Sequence, residues 1–370
     1  MGSDRARRRQ TSHRRRWLTG FVVAAGLTLA ACQQGLPQSS LDPAGPRAQR
    51  IDDLSTIVFW MAAVVFVLVE GALIFIALRY RARRREDRPP AQIHGNNRLE
   101  IIWTIIPALL LAGLAFPTVS AIFDLSRRPT EGNVLEVTVI GHQWWWEFHY
   151  PDQNIVTANE LVIPVDTPVH LSLESAETPG GIAEFTEDGD PVFEDAIPVI
   201  HSFWVPRLAG KQDLVPGKTE TLTIESAQTG TFLGQCTEYC GTSHANMRKR
   251  VIVETQEGFQ EWVSRMQAPP AEPDAESLAA EGAELFQNFG NGSCLACHGV
   301  EPGAGGTVGP NLAHLASRQT FGSGLFEMNR ENLQRWLDGP RAMKPGVVMP
   351  DYNLTEEQIE AITEYLLTLE

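Results

Sequence analysis

Two long apolar runs dominate the first third of the chain. Residues 55–78 form 24 positions interrupted only by Glu70, and residues 101–123 form another 23. At about 1.5 Å of rise per residue, each is long enough as a helix to cross roughly 30 Å of hydrocarbon. Pro107 and Pro117 lie inside the second run and predict kinks, which membrane helices tolerate. From Val134 the period changes to two. Val169, Leu171 and Leu173 alternate with His170, Ser172 and Glu174, and residues 219–224 and 251–253 alternate in the same way. Pro151-Asp152, Pro164, Pro216-Gly217 and Gly230 punctuate these runs. Short alternating strands with such turns predict an all-β sandwich or barrel. Trp144, Trp145 and Trp146 are consecutive, so at least one ring must leave the face that the others pack on. Residues 267–276 are proline-rich and predict a linker reaching about 30 Å when extended. Helical signals follow, at residues 277–288 and after Thr355-Glu-Glu-Gln358, a capping box with Leu354 placed to staple onto Ile359. Beyond it Ile359, Ile362, Leu366 and Leu369 share one face.

Charge orients these pieces. Arg79, Arg81, Arg83, Arg84, Arg85, Arg88 and Arg98 lie between the two apolar runs. The positive-inside rule places that loop in the cytoplasm and everything after residue 123 outside it. Glu70 is costly in a bilayer unless neutral or paired, so it should face a protein partner. An arginine-rich start followed by an apolar stretch at 17–31 reads as a secretory signal over residues 1–31. Leu29-Ala30-Ala31-Cys32 resembles a lipoprotein cleavage box; an uncleaved signal anchor with a buried Cys32 is the other reading. Residues 124–269 carry 9 basic and 22 acidic groups, and residues 270–370 carry 5 and 15. Such acidity repels phosphates and excludes nucleic acid as a partner. It favours a basic partner protein with salt-dependent steering.

The chain has five cysteines. Four fall in two short motifs. Cys236-Thr-Glu-Tyr-Cys240-Gly-Thr-Ser-His244-Ala-Asn-Met247 sets two thiols, an imidazole and a thioether within twelve residues. Soft sulfur and imidazole donors this close suit copper. A disulfide, a zinc site with His244 and a copper-chaperone pair also fit the two cysteines. Cys294-Leu-Ala-Cys297-His298 is a covalent haem c attachment motif. That attachment takes place outside the cytoplasm, in agreement with the charge-derived orientation. Met349 and Met343 are the candidates for the second axial ligand, with Met328 a core residue; His142, His149 and His170 read as surface or hydrogen-bonded histidines.

Together with His201-Ser-Phe-Trp-Val-Pro, the first motif resembles the dinuclear CuA centre of cytochrome c oxidase subunit II. That resemblance, over residues 51–370, is to the caa-type form with a fused cytochrome c. It implies a multidomain membrane protein with a two-helix transmembrane hairpin (51–123) and a cupredoxin-like Greek-key barrel (124–266). The linker (267–276) and an all-α class I cytochrome c domain (277–370) complete it. Cys236 and Cys240 would bridge two coppers, His201 and His244 would cap them, Met247 would be a weak ligand and Glu238 would give its main-chain oxygen. The Glu238 side chain would reach a magnesium ion shared with subunit I. Trp144 would receive electrons, and Glu100, in Glu100-Ile-Ile-Trp103-Thr-Ile-Ile-Pro107, would stand at the mouth of a proton path. Gly309-Pro310-Asn311-Leu312 and Met349-Pro350 resemble the segments that flank haem c, with Cys294 and Cys297 as thioethers and His298 and Met349 on iron. The resemblance implies a subunit of a proton-translocating oxidase in a bacterial cytoplasmic membrane, with its redox domains on the periplasmic or extracellular side. Its partners would be subunit I, other oxidase subunits and an external donor, a cytochrome c or a bc-type complex. Two alternatives remain at this stage: a CuA-containing nitric oxide reductase subunit and a non-enzymatic membrane copper-handling protein. Residues 177–196, acidic and glycine-rich, depart from the family pattern. Since both redox domains are acidic, net charge would not hold them together; the tether, with a small apolar contact near Trp144, would.

Overall fold

The computed structural model describes residues 36–81, 92, 95–130, 132–176, 182–185, 191–193, 198–288, 293–305 and 308–370. The signal read at 1–31, Cys32, Arg83 to Arg88 and much of 177–196 lie outside the described residues.

Helix α1 spans Pro46–Arg79 and α2 spans Asn97–Ser126. Both are longer than their apolar runs. Pro46 sits in the first turn of α1, where its missing N–H is no loss. Asn96 caps α2, its side chain accepting from the N–H groups of Arg98 and Leu99. Pro107 and Pro117 both remain inside α2. The large apolar side chains of both helices, Phe66, Leu68, Leu109 and Phe116 among them, point outward and are exposed. Such faces need lipid or partner helices to cover them. At one end the pair is fastened by Arg47, which donates to the carbonyls of Asp124, Leu125 and Arg127, and by Arg50 on Asp124 at 3.0 Å.

The next unit is a sandwich of two five-stranded sheets. The strands are β1 Leu135–His142, β2 Trp145–Tyr150, β3 Ile155–Ala158, β4 Glu160–Pro164, β5 Val169–Ser175, β8 His201–Trp204, β9 Gln212–Leu214, β10 Glu220–Ile224, β11 Gly230–Cys236 and β12 Arg248–Glu254. One sheet runs β10-β5-β1-β2-β3 and the other β4-β12-β11-β8-β9. β1 pairs parallel with β5, and β12 parallel with β4; the other pairs are antiparallel. The period-two pattern holds: Leu135, Val137 and Val139 are buried on β1 while the residues between are half-buried. Tyr150 spans the layers, its hydroxyl donating to Val162 O and accepting from Val162 N, both at 2.9 Å. Within the acidic stretch 177–196, β6 (Ile182–Phe185) and β7 (Pro191–Phe193) form an antiparallel pair of their own. Helix α3, Gln256–Gln267, closes the sandwich by placing Phe259, Val263 and Met266 in its core. Ala44 ties α1 to this unit, donating to Arg207 O and accepting from Ala227 N.

The last unit is helical. It comprises α4 (Leu278–Gln287, capped by Ser277), α5 (Arg330–Asp338), α6 (Pro340–Met343) and α7 (Glu356–Thr368), with a small ladder of β13 (Thr320–Phe321) and β14 (Phe326–Glu327). The capping box at Thr355 and Gln358 is formed on both sides. Ile359, Ile362, Leu366 and Leu369 are buried along one face of the last helix and its end, against Phe286 of α4.

Candidate functional site

The two sulfur motifs sit on rigid ends. His201 opens β8 and Cys236 closes β11, and those strands pair so that Cys236 faces Phe203. The loop after Cys236 returns through a short 3-10 turn, His244–Asn246, and closes by a hydrogen bond from Cys236 N to Met247 O at 2.9 Å. This brings the donors together. Cys236 Sγ lies 3.8 Å from Cys240 Sγ, 3.9 Å from His201 Nδ1 and 3.2 Å from Glu238 O. Cys240 Sγ lies 3.7 Å from His244 Nδ1 and 3.8 Å from Met247 Sδ. Two metal–ligand bonds of about 2.0–2.3 Å meeting at a tetrahedral angle span about 3.5 Å, so these gaps suit metal ions between the donors. His201, Cys236, Cys240 and Met247 are buried, whereas the Glu238 residue is exposed.

The thiols titrate as a pair. Cys236 is pushed down to about 3, chiefly by the hydrogen bond from the Cys240 thiol and then by His201. Cys240 moves the other way, because it keeps the proton that the pair shares and is buried. A soft cation is what lets both become thiolates. Beneath the site, the buried Lys249 amine donates to Gln235 O at 2.9 Å and lies 4.0 Å from the Trp146 ring centre and 4.3 Å from that of Phe203. Burial pushes its pKa well below the ordinary lysine value.

A second cavity lies in the helical unit, with Cys294, Cys297, His298, Met349, Leu333 and Trp336 among its walls. The His298 ring meets Pro310 O at 2.8 Å through Nδ1. A carbonyl only accepts, so Nδ1 carries the proton and Nε2 keeps a free lone pair for a metal. Burial lowers the His298 pKa, which favours this neutral ring. Gly309 is required here, since a methyl at its Cα would collide with the His298 ring. Trp336 Nε1 donates to Met349 Sδ at 3.2 Å, which aims the thioether. Met343 is not among the residues lining the cavity, and Met328 packs in the core beside it. Cys294 and Cys297 approach within a single turn, with His298 N bonded to Cys294 O at 2.9 Å. An apolar chamber with two thiols, a neutral imidazole and a thioether fits a haem.

The three tryptophans divide. Trp146 is fully buried in the sandwich core, and Trp145 stacks on His142 at 4.0 Å. Trp144 is half-buried and lines this second cavity, while its indole Nε1 donates to Cys240 O at 3.0 Å. Gln143 Nε2 donates to the same carbonyl at 2.7 Å. One side chain therefore touches the sulfur loop and the second cavity. His142 and His149 both bond to the buried Glu147 at 2.7 Å, and His170 meets Thr223 at 3.3 Å, so none of the three joins the sulfur cluster. Glu100 lies in the first turn of α2, its carboxylate accepting from Asn96 N at 3.2 Å rather than pairing with Arg98. Gln143, Lys249 and Lys344 were missed by sequence reasoning: a lone amide or lysine carries no spacing signal.

Comparison with known proteins agrees along the chain. Residues 32–121 match the transmembrane domain of cytochrome c oxidase subunit II, 135–255 its periplasmic domain and 279–370 cytochrome c. Cytochrome c oxidase subunit 2 of Alkalihalophilus pseudofirmus is 36% identical over 362 residues, covering 95% of this chain and 98% of that one. The protein of the same name from Bacillus subtilis is 33% identical over 368 residues, with 94% and 95% covered. A crystal structure of the periplasmic domain of subunit II (CoxB) from Bradyrhizobium japonicum superposes with a TM-score of 0.30 at 25% identity, covering 38% of this chain and 95% of that one. The chain thus belongs to the cytochrome c oxidase subunit II family, as a membrane subunit of a haem–copper oxidoreductase whose copper domain is followed by a haem-binding cytochrome c domain.

Proposed function

We propose that this chain is where electrons enter the oxidase, passing from an external cytochrome c or bc-type donor through haem c and a dinuclear CuA centre to the haem of subunit I. Dioxygen reduction and proton translocation would take place in that partner. The observation that carries this reading is Trp144, which lines the haem cavity and bonds to the carbonyl of a copper-binding cysteine. The two groups, when bound, supply one-electron carriers with small structural change. The chain's own residues hold and aim them. Cys236 and Cys240 would bridge the coppers, with His201, His244, Met247 and the Glu238 carbonyl as further ligands. Cys294 and Cys297 would carry the haem as thioethers, with His298 and Met349 on iron. The exposed Glu238 carboxylate, which accepts from Tyr239 N at 3.2 Å, would reach a magnesium ion at subunit I, and Glu100, in the first turn of α2, would stand where a proton path begins.

Electron paramagnetic resonance on the copper-loaded chain tests this. Hyperfine structure from one electron shared equally by two coppers is expected. A single-copper signal, or thiols found as a disulfide, would overturn it. Trp144→Phe should leave that signal in place and slow transfer from haem to copper.

A further inference from the structure

The two redox domains are both strongly negative, yet they share a built contact. Glu160, at the start of β4, is 5% exposed. Its carboxylate accepts three hydrogen bonds from the helical domain: Gln319 N at 3.0 Å, Thr320 N at 2.8 Å and Thr320 Oγ1 at 2.8 Å. The buried Arg318 guanidinium is near enough to attract it. The converse holds at a second point of the contact. Lys344 of the helical domain is 3% exposed, and its amine donates to Trp144 O of the copper domain and to Ser323 Oγ, both at 2.6 Å. Ser323 Oγ donates to the same Trp144 carbonyl at 2.6 Å. Trp144 is thus held at its main chain by the haem domain and at its indole by the copper loop. Gly346, at φ +86°, sits against the Trp144 ring and Thr242, where an added Cβ would come within 3.0 and 3.1 Å of them and crowd the contact.

We propose that Glu160 and Lys344 are the positioning residues for transfer between the two centres: reciprocal keys, each a buried side chain of one domain bonded to the other domain, that seat the haem cavity against Trp144. This rests on the electron path above. The step served is one electron passing from ferrous haem to the oxidised copper pair, with no bond or proton changing hands. Burial is what makes the keys selective. In any other pose the Glu160 carboxylate would lose its three partners and the Lys344 amine would lose Trp144 O, keeping only Ser323 of its own domain, so each would be buried with too few partners or exposed to water. The proline-rich tether raises the local concentration of one domain at the other, while the keys choose the pose. Buried bonds are also poorly screened, so salt should leave the pose intact although the domains repel.

The test uses the full chain carrying haem and copper, as wild type and as Glu160→Gln, Lys344→Met and the double variant. The haem absorption spectrum, the copper resonance signal and both reduction potentials serve as controls that the variants are folded and loaded. The first readout is the distance distribution between oxidised haem and copper from pulsed paramagnetic resonance. The second is internal electron transfer after flash reduction of the haem. A narrow wild-type distribution at low and high salt is expected. With unchanged potentials, each lost key should lower the docking constant about tenfold, broadening the distribution and slowing transfer. An unchanged distribution in the double variant would overturn the proposal. So would a wild-type distribution that broadens at high salt, an arm that needs no variant to fold. A wild type without the two-copper signal would instead sink the electron path itself.

Discussion

The ring of His298 meets Pro310 O through Nδ1, and a Cβ added at Gly309 would collide with it. Gly309→Ala should push the imidazole off its carbonyl, at about 1 kcal/mol for the hydrogen bond alone. Loss of the low-spin haem absorption bands, with the copper signal retained, would show it. Tyr150 gives a comparable residue-scale outcome. Its hydroxyl serves both the N–H and the C=O of Val162 inside the sandwich, so Tyr150→Phe leaves two buried main-chain groups unpaired. A loss of about 1–3 kcal/mol is expected, read from chemical denaturation followed by tryptophan emission. Residues of this kind differ in how far the sequence announces them. The clustering of the candidate metal donors was readable because cysteine, histidine and methionine are scarce and their spacing is itself chemistry. Lys249 and Lys344 were not, because a lysine is ordinarily a surface residue and only the fold buries these two.

Among elements, the strands followed their alternation. β1, β5 and β10 lie where period two placed them, because one face of each packs in the sandwich core while the other is mostly only half-buried. Helix α3 was not predicted. Its twelve residues are mostly polar, and the four apolar ones, Phe259, Trp262, Val263 and Met266, make too short a helical stripe to stand out from the strand pattern before it. Phe259→Ala should cost the β domain about 3 kcal/mol, measurable as a lower midpoint in denaturant. The membrane helices ran longer than their apolar runs for a similar reason. Residues 46–54 are helical because Pro46 and Arg47 start and fasten the helix, not because they are apolar. The copper loop should depend on its metal. Stripping copper leaves two buried thiols 3.8 Å apart on a loop closed by few bonds. At a metal concentration a thousand times the dissociation constant, the bound form gains about 4 kcal/mol. Calorimetry with and without copper should show the β domain melting earlier when the metal is removed.

Across the whole molecule, the order of units and a contact near Trp144 were readable, but the polar bonds that make the contact were not. Two apolar runs, a period-two region and a helical tail each carry their own local pattern. The meeting of Glu160 with Thr320, or of Lys344 with Trp144, joins residues 160 and 200 positions apart, and no local pattern links them. The charge count pointed to repulsion and an apolar contact; buried polar bonds hold the interface alongside Trp144. Arg47 does the same work at the other junction, where it ties the start of α1 to the end of α2. Arg47→Met should loosen the outer ends of the hairpin, seen as faster hydrogen exchange at residues 122–127.

Trp144 lies beneath Lys344, Ser323 and Gly346. Seated this way, the haem domain occupies the place where a freely diffusing carrier would have to land. On the electron path proposed above, reduction of the copper centre would lose its dependence on carrier concentration and become a first-order event, timed by the chain alone. On that path diffusion and collision would matter one step earlier, where Leu295, between the two cysteines proposed to carry haem, is left open to the surroundings.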